Sequence, residues 1–419
     1  MSRRFWVETL GCPKNQVDSD KLTGTMLAEG LVPAAAPGEA DLVVVNTCAF
    51  IEEARQESID VVLDLADRRP AGAELVVTGC LAERYGAELA EALPEADAVV
   101  GFGVPVTLGP TRRPAGAAPV LDLLNLPRPP AVAPWAYVKV AEGCDRACGF
   151  CAIPTFRGKQ RSRPVEAVLA EVEGLAATGV REVVLVAQDL AAYGRDQGRG
   201  QRRIVPLVAA VAERVERVRL LYLYPSDLTD GLVDAVCATG VPYFDLSLQH
   251  ASAPLLRRMR RWGDGDRFLR RVEAIRARVP EAAFRSSFIV GYPGETEDDH
   301  DLLLDFVARA ELDWAGFFAY SEEAGTYAAG LGGAVPAGLV ADRLAELREL
   351  QDAITAAGRD RLIGSVVEVL VDAPGVARSH REAPEIDGIV AVPDDLAVGA
   401  FVKVRVTGAA GPDLDAVVA

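Results

Sequence analysis

The chain has 419 residues, half of them apolar, and carries 61 acidic against 44 basic side chains for a net charge of −17. That length allows two or three domains, and a surface of that sign repels nucleic-acid phosphates and favours basic partners. No apolar run approaches the roughly 18 residues that span a bilayer, no secretory segment is expected, and seven cysteines, an odd number with several in tight ligand spacing, argue for the reduced cytoplasm.

Residues 5–10 read as a buried strand that runs into Gly11-Cys12-Pro13, with Asp18 and Ser19 as caps of a helix to about residue 29. A second strand, 41–46, runs into Thr47-Cys48 and a helix over 51–67. A third, 74–78, runs into Gly79-Cys80 and a helix over 82–93, and 98–100 closes the set. Three times a strand meets a cysteine and then a helix. In open α/β sheets the loops after the strand ends line one edge, so Cys12, Cys48 and Cys80 are expected to converge. Three buried cysteines acting as small hydrophobes are the alternative. Their equivalent positions favour a cluster site.

Residues 104–134 hold eight prolines and read as an extended linker, with a short strand near 120–124. From 135 to 357, strands are predicted at 136–140, 182–187, 219–224, 244–248, 284–290 and 314–319. Helices lie between them at 164–177, 205–215, 229–238, 266–278 and 297–310. Six βα units in a row predict a parallel sheet with right-handed crossovers, curved into a partly open (βα)6 barrel rather than the closed barrel of eight. Helix 338–357 places Val340, Leu344, Leu347 and Ile354 on one face. Short β segments at 365–371, 388–392 and 401–406 then predict a small antiparallel β-barrel in 358–419. The expected division is 1–103, an open α/β domain, then 104–134, 135–357 and 358–419.

The most informative stretch is Glu142-Gly143-Cys144-Asp145-Arg146-Ala147-Cys148-Gly149-Phe150-Cys151, spaced CxxxCxxC. Thiolates suit iron–sulfur clusters and zinc. A cubane usually takes four cysteines, so three leave one iron open to a small molecule. A zinc knuckle is the competing reading. Zinc sites favour paired CxxC or Cys/His spacing, and the only three histidines, His250, His300 and His380, are far apart. Cys144, Cys148, Cys151 and the aromatic Phe150 resemble the radical S-adenosylmethionine (SAM) superfamily. The resemblance implies that the open iron chelates SAM and that a 5′-deoxyadenosyl radical forms. It also places SAM against strand ends: Gln188 and Asp189 after the second strand, Ser247 and Gln249 after the fourth, and Arg285 and Gly291 on the fifth. Ala187 and Asp189 depart from the Gly-Gly-Glu-like segment usual there. No side chain is expected to act as a catalytic acid or base. The basic runs 157–163 and 257–262 are expected near the barrel mouth, either as a solvated face or as clamps for the SAM carboxylate or an acidic group of the substrate. Cys237 reads as core packing.

The order of a three-cysteine domain, a radical SAM core and a small β-barrel resembles the methylthiotransferase family over nearly the whole chain. Within it, Leu10-Gly11-Cys12-Pro13-Lys14-Asn15, Cys151-Ala152-Ile153-Pro154 with Arg157-Gly158, and Glu382-Ala383-Pro384-Glu385-Ile386-Asp387-Gly388 resemble the RimO-type branch. The resemblance implies an auxiliary 4Fe-4S cluster on Cys12, Cys48 and Cys80 and a substrate-binding TRAM barrel. It also implies SAM as both radical source and methyl donor, and methylthiolation of an aspartate β-carbon in small-subunit ribosomal protein twelve. An electron donor such as flavodoxin or ferredoxin is then needed. From Ser365 onward nine acidic side chains face four basic ones, a net of −5. This suits a basic protein substrate better than RNA. The MiaB-type tRNA adenosine methylthiotransferase is the alternative within the family, and a two-cluster electron carrier is the alternative outside it.

Overall fold

The computed structural model describes residues 3–104, 106, 122–198 and 202–419. The chain forms two compact units: Met1–Pro130 with Lys139–Arg146 and Cys151–Arg163, and Ala131–Val138 with Ala147–Phe150 and Pro164–Ala419.

The first unit is built on five parallel strands, β1 (Arg4–Thr9), β2 (Val32–Pro33), β3 (Leu42–Thr47), β4 (Glu74–Gly79) and β5 (Ala98–Val99), in the order β2-β1-β3-β4-β5. Its central strand β3 is Leu-Val-Val-Val-Asn-Thr and buried throughout, as a parallel strand covered on both faces must be. Helices α1 (Pro13–Ala28), α2 (Glu52–Arg68) and α3 (Cys80–Ala92) follow β1, β3 and β4. The structure corrects the expected start of α1. The helix begins at Pro13, whose fixed φ suits a first turn, and not at a cap formed by Asp18 or Ser19, both of which are buried within it. Strand β2 has only two residues and no alternating pattern, which is why the sequence did not reveal it. Most of the proline-rich 104–134 segment, with the start of its expected strand, lies outside the described residues. Residues 123–125 form a single 3-10 turn.

The second unit contains the six predicted parallel strands. They are β6 (Trp135–Lys139), then, after the short β7 (Ala141–Glu142) and β8 (Arg161–Ser162) of the first unit, β9 (Glu182–Val186), β10 (Arg217–Leu220), β11 (Tyr243–Gln249), β12 (Ala283–Val290) and β13 (Trp314–Ala319). Two three-stranded sheets, β10-β9-β6 and β11-β12-β13, join through one parallel bridge, Leu223 to Leu246, giving the partial (βα)6 barrel. The helices, after the short α4 (Ile153–Phe156), are α5 (Val165–Ala177), α6 (Ile204–Ala212), α7 (Asp230–Cys237), α8 (Ala253–Arg258), α9 (Gly265–Arg278), α10 (Glu297–Ala310) and α11 (Ala337–Asp360). Helix α11 runs past the expected boundary at residue 357.

The C-terminal strands β14 (Val366–Ala373), β15 (Val376–Arg378), β16 (Val390–Ala391), β17 (Phe401–Ala410) and β18 (Asp413–Val418) close a barrel in the order β14-β15-β16-β18-β17. All its pairs are antiparallel except β16 with β18. Its core is small and aliphatic, including Val369, Val371, Val390, Val404, Val406 and Leu414.

The segment 378–387 of this barrel meets the first residues of all six core strands. Pro384 O accepts from Tyr137 Oη at 2.7 Å, Arg378 pairs with Glu182 at 3.1 Å, and the carbonyl of Arg378 accepts from Arg217 at 3.2 Å. Asp387 accepts from Tyr243 Oη at 2.6 Å and pairs with Arg285 at 3.3 Å, while the Arg381 carbonyl accepts from Trp314 Nε1 at 2.7 Å. The small barrel therefore closes the amino-terminal end of the core barrel. Four of the charges counted from the sequence, Arg378, Arg381, Glu382 and Asp387, are spent in this junction rather than displayed. Arg378 and Arg381 thus contribute no basic outer face.

Candidate cysteine centres and cofactor site

Within the first unit, each of the three strand-end cysteines sits where a loop turns into, or leads toward, a helix. Cys12 is the residue before the first turn of α1, and Cys80 opens α3. Helix starts carry unpaired N–H groups and favour thiolates. Cys48 follows β3, and its backbone is fixed at both ends by Ser58, which accepts from Cys48 N at 3.1 Å and donates to Cys48 O at 3.2 Å. Gly11 adopts a left-handed φ of 93°, and a Cβ there would stand 2.9 Å from Cys48 Sγ. Only glycine lets these two strand ends close together.

The thiols ionise unequally. Burial opposes ionisation of Cys12, but Lys14 and Arg157 outweigh it and lower its pKa. Burial, reinforced by Cys12, pushes Cys48 up to about 12. Burial also raises Cys80, against the pull of Arg157.

Arg157 is the residue that the sequence reading misplaced. It is buried and not part of a solvated clamp. Its Nη2 and Nε donate to Cys80 Sγ at 3.0 and 3.3 Å, and Nη2 donates to Asn15 Oδ1 at 2.7 Å. Its Nη1 reaches Asp18 at 3.2 Å and both carboxylate oxygens of Glu142 at 2.9 Å. Lys139, 1% exposed, pairs with Asp18 and, at 2.6 Å, with Glu142. Burial opposes ionisation of Glu142, yet Arg157 and Lys139 hold it below the usual carboxylate range. Lys139 and Glu142 flank the otherwise apolar Val140-Ala141, and that interruption was the available signal. Elsewhere in the run, Arg161 pairs with Asp122 at the surface and Arg163 donates to the Lys139 carbonyl.

The loop 144–151 leads on from β6 and β7. Cys144 and Cys151 belong to the first unit and Cys148 to the second, and all three are half-buried. Cys144 N–H donates to Gly158 O at 3.1 Å, and Cys144 Sγ accepts from Arg146 N at 3.4 Å. Cys148 Sγ accepts from Arg261 Nη1 at 3.3 Å. Arg261 also donates to Ser247 O and lies 4.1 Å from the Tyr224 ring centre. Gly149 donates to Met259 O at 2.8 Å and accepts from Ala328 N at 2.8 Å. Among the described residues, no three His, Cys, Asp or Glu side chains are gathered as for one metal ion. Both cysteine sets offer three soft donors with an adjacent guanidinium, a donor chemistry that fits a 4Fe-4S cluster.

Of the expected SAM residues, Phe150 lies half-buried in the loop, and Gln188 and Asp189 directly follow β9, with Asp189 buried. Ser247 and Gln249 end β11, where the register shifts and Gln249 takes a positive φ of 74°. Gly291 follows β12. A Cβ on it would meet Val340 Cγ2 at 2.5 Å, so its bareness serves the packing of α11. Arg285 is corrected. It stands near the start of β12, six residues before Gly291 or roughly 20 Å along a strand, and its guanidinium pairs with Asp245 and Asp387. It belongs to the barrel junction.

A radical SAM core with a TRAM barrel is thus the class that fold and donor set define. Residues 138–307 match the Radical SAM superfamily, 363–418 the TRAM domain and 4–101 the Uncharacterized protein family UPF0004. The solved TsrM of Kitasatospora setae, a radical S-adenosylmethionine methyltransferase, has the same fold, with a TM-score of 0.51 at 16% identity over 95% of this chain and 84% of that one. The ribosomal protein uS12 methylthiotransferase RimO of Kineococcus radiotolerans is 43% identical over 99% of this chain and 96% of its own. That of Moorella thermoacetica is 44% identical over 96% of both. The chain belongs to the RimO family of radical SAM methylthiotransferases. Membership brings 4Fe-4S and SAM as cofactors.

Proposed function

We propose that the enzyme methylthiolates the β-carbon of an aspartate in ribosomal protein uS12, using two 4Fe-4S clusters and SAM as radical source and methyl donor. Cys144, Cys148 and Cys151 hold the cluster that engages SAM, and Cys12, Cys48 and Cys80 hold the auxiliary one. The observation that carries this reading is the pair of three-cysteine sets in a chain 43% identical to a uS12 methylthiotransferase along 99% of its length. When bound, these groups supply the hydrogen abstraction, sulfur and methyl that no side chain here can provide.

The protein's share is placement. Arg261 holds the Cys148 thiol, and the Gly149 backbone is pinned between Met259 and Ala328. Gln188, Asp189, Ser247 and Gln249 line the carboxyl ends of their strands for SAM. The open α/β domain 1–103, the core from 135 to the end of α11 and the barrel that follows divide the work. Glu385, Asp394, Asp395 and Asp415 are exposed on the barrel against exposed Lys403 and Arg405, an excess of acid that suits a basic protein. A flavodoxin or ferredoxin supplies electrons in the cytoplasm. Among the described residues no helix is long and apolar enough to cross a membrane.

Mass spectrometry of uS12 and of tRNA from a strain lacking the gene tests the assignment. Loss of one methylthio group from uS12, restored by the gene, is the expected result. An unchanged uS12 with an unmodified tRNA adenosine points instead to the tRNA substrate.

A further inference from the structure

The charge cluster around Arg157 has no role in the reading above. Arg157 is one of the few basic side chains almost fully buried in the first unit, and it is held from three sides by Asn15, Asp18 and Glu142. Lys139 balances the second carboxylate. Two cations therefore face two carboxylates before any thiolate is counted, so the guanidinium is not consumed by an excess of acid. Its remaining two N–H groups point at one atom, Cys80 Sγ. The next residue, Gly158, accepts the Cys144 amide. One short segment thus grips a thiol of the distributed set and the backbone of the contiguous set.

Resting on the two-cluster reading, we propose that Arg157 is a positioning residue of the auxiliary centre, whose N–H···S bonds to Cys80 set the reduction potential of the cluster held by Cys12, Cys48 and Cys80. Reduction adds negative charge to the cluster sulfurs. A buried cation that donates to a ligand sulfur stabilises the reduced form more than the oxidised one and so raises the potential. Low local polarity strengthens the effect. Lysine keeps the charge but cannot present two fixed donors to one sulfur.

The test uses anaerobically reconstituted full-length protein in which Cys144, Cys148 and Cys151 are replaced by alanine, so that only the auxiliary cluster gives a signal. Its midpoint potential is followed by electron paramagnetic resonance. Arg157→Gln is expected to shift the potential to a more negative value at equal iron content, and Arg157→Lys to shift it less. Glu142→Gln, which removes a carboxylate touching Arg157 but not Cys80, is expected to shift it the other way. If Arg157→Gln fails to fold because two acids lose their partner, Arg157→Gln with Glu142→Gln keeps the local charge balanced and is still expected to be more negative than Glu142→Gln alone. A potential unchanged by either Arg157 variant at equal iron content would make Arg157 a structural ion-pair partner only and overturn the proposal. A parent chain that binds no iron in this background would overturn the two-cluster reading itself.

Discussion

Cys144, Cys148 and Cys151 lie within eight consecutive residues, whereas Cys12, Cys48 and Cys80 follow the ends of three separate strands. The contiguous set is half-buried, and its Cys148 accepts from Arg261, more than a hundred residues later. Cys48 and Cys80 in the distributed set are buried, and Cys80 accepts from Arg157, which belongs to a network of two cations and two carboxylates. The contiguous loop needs only local chain to present its ligands. The distributed cysteines can meet only if the sheet forms, and the charges beside Cys80 are part of that fold. Removing one partner from a buried pair costs roughly 3–5 kcal/mol, so these charges tie the surroundings of Cys80 to the stability of the domain.

The comparison is broken most severely by deleting the contiguous set. Replacing Cys144, Cys148 and Cys151 with alanine is expected to abolish SAM cleavage and leave about one cluster, measured by iron analysis and chromatographic detection of 5′-deoxyadenosine. SAM cleavage at the parent rate in that variant would be incompatible with the assigned roles.

A smaller effect comes from buried charge that touches no cysteine. Glu182 pairs with Arg219 at 2.8 Å and with Arg378 at the barrel junction. Burial opposes its ionisation, but Arg219 and Arg378 prevail and bring its pKa down to about 2. A carboxylate lowered on folding stabilises the folded state above its unfolded value of about 4.3, and that contribution is lost as pH falls toward 2. Glu182→Gln is therefore expected to lower stability by roughly 3 kcal/mol at neutral pH and to flatten the fall in stability on acidification. Denaturation followed by circular dichroism checks both. An acid profile as steep as the parent's would show that the junction does not depend on this charge.

The smallest effect is expected at the seventh cysteine, which belongs to neither set. Cys237 is the last residue of α7 and half-buried, and burial raises its thiol pKa. Cys237→Ala is expected to cost about 1 kcal/mol with iron content unchanged. A loss of iron would enlarge one of the sets.

Much of this was legible from residue patterns. Apolar runs ending in cysteine gave β1, β3 and β4, and six βα units gave the core barrel. Spacing alone marked Cys144, Cys148 and Cys151. What escaped was whatever depends on side chains meeting across the fold. Arg157 sits in a basic run that reads as a solvated face, and only the fold brings Asp18, Glu142 and Asn15 around it. Arg285 lies on a strand whose far end carries the expected SAM residues, and periodicity does not say which end of a strand a ligand uses. The short β15 and the terminal β18 of the small barrel escaped too, because three or six residues with mixed polarity carry little pattern. The charges of segment 378–387 looked like surface until they were seen to plug six strand starts.

The central claim is that the distributed cysteines form a second cluster site needed for sulfur transfer and not for SAM cleavage. Its most direct test is the Cys12→Ala, Cys48→Ala, Cys80→Ala variant, assayed together for iron, SAM cleavage and methylthiolated product. The account predicts about one cluster instead of two, continued formation of 5′-deoxyadenosine, and no methylthio transfer. Full iron content, or undiminished methylthiolation, would contradict it.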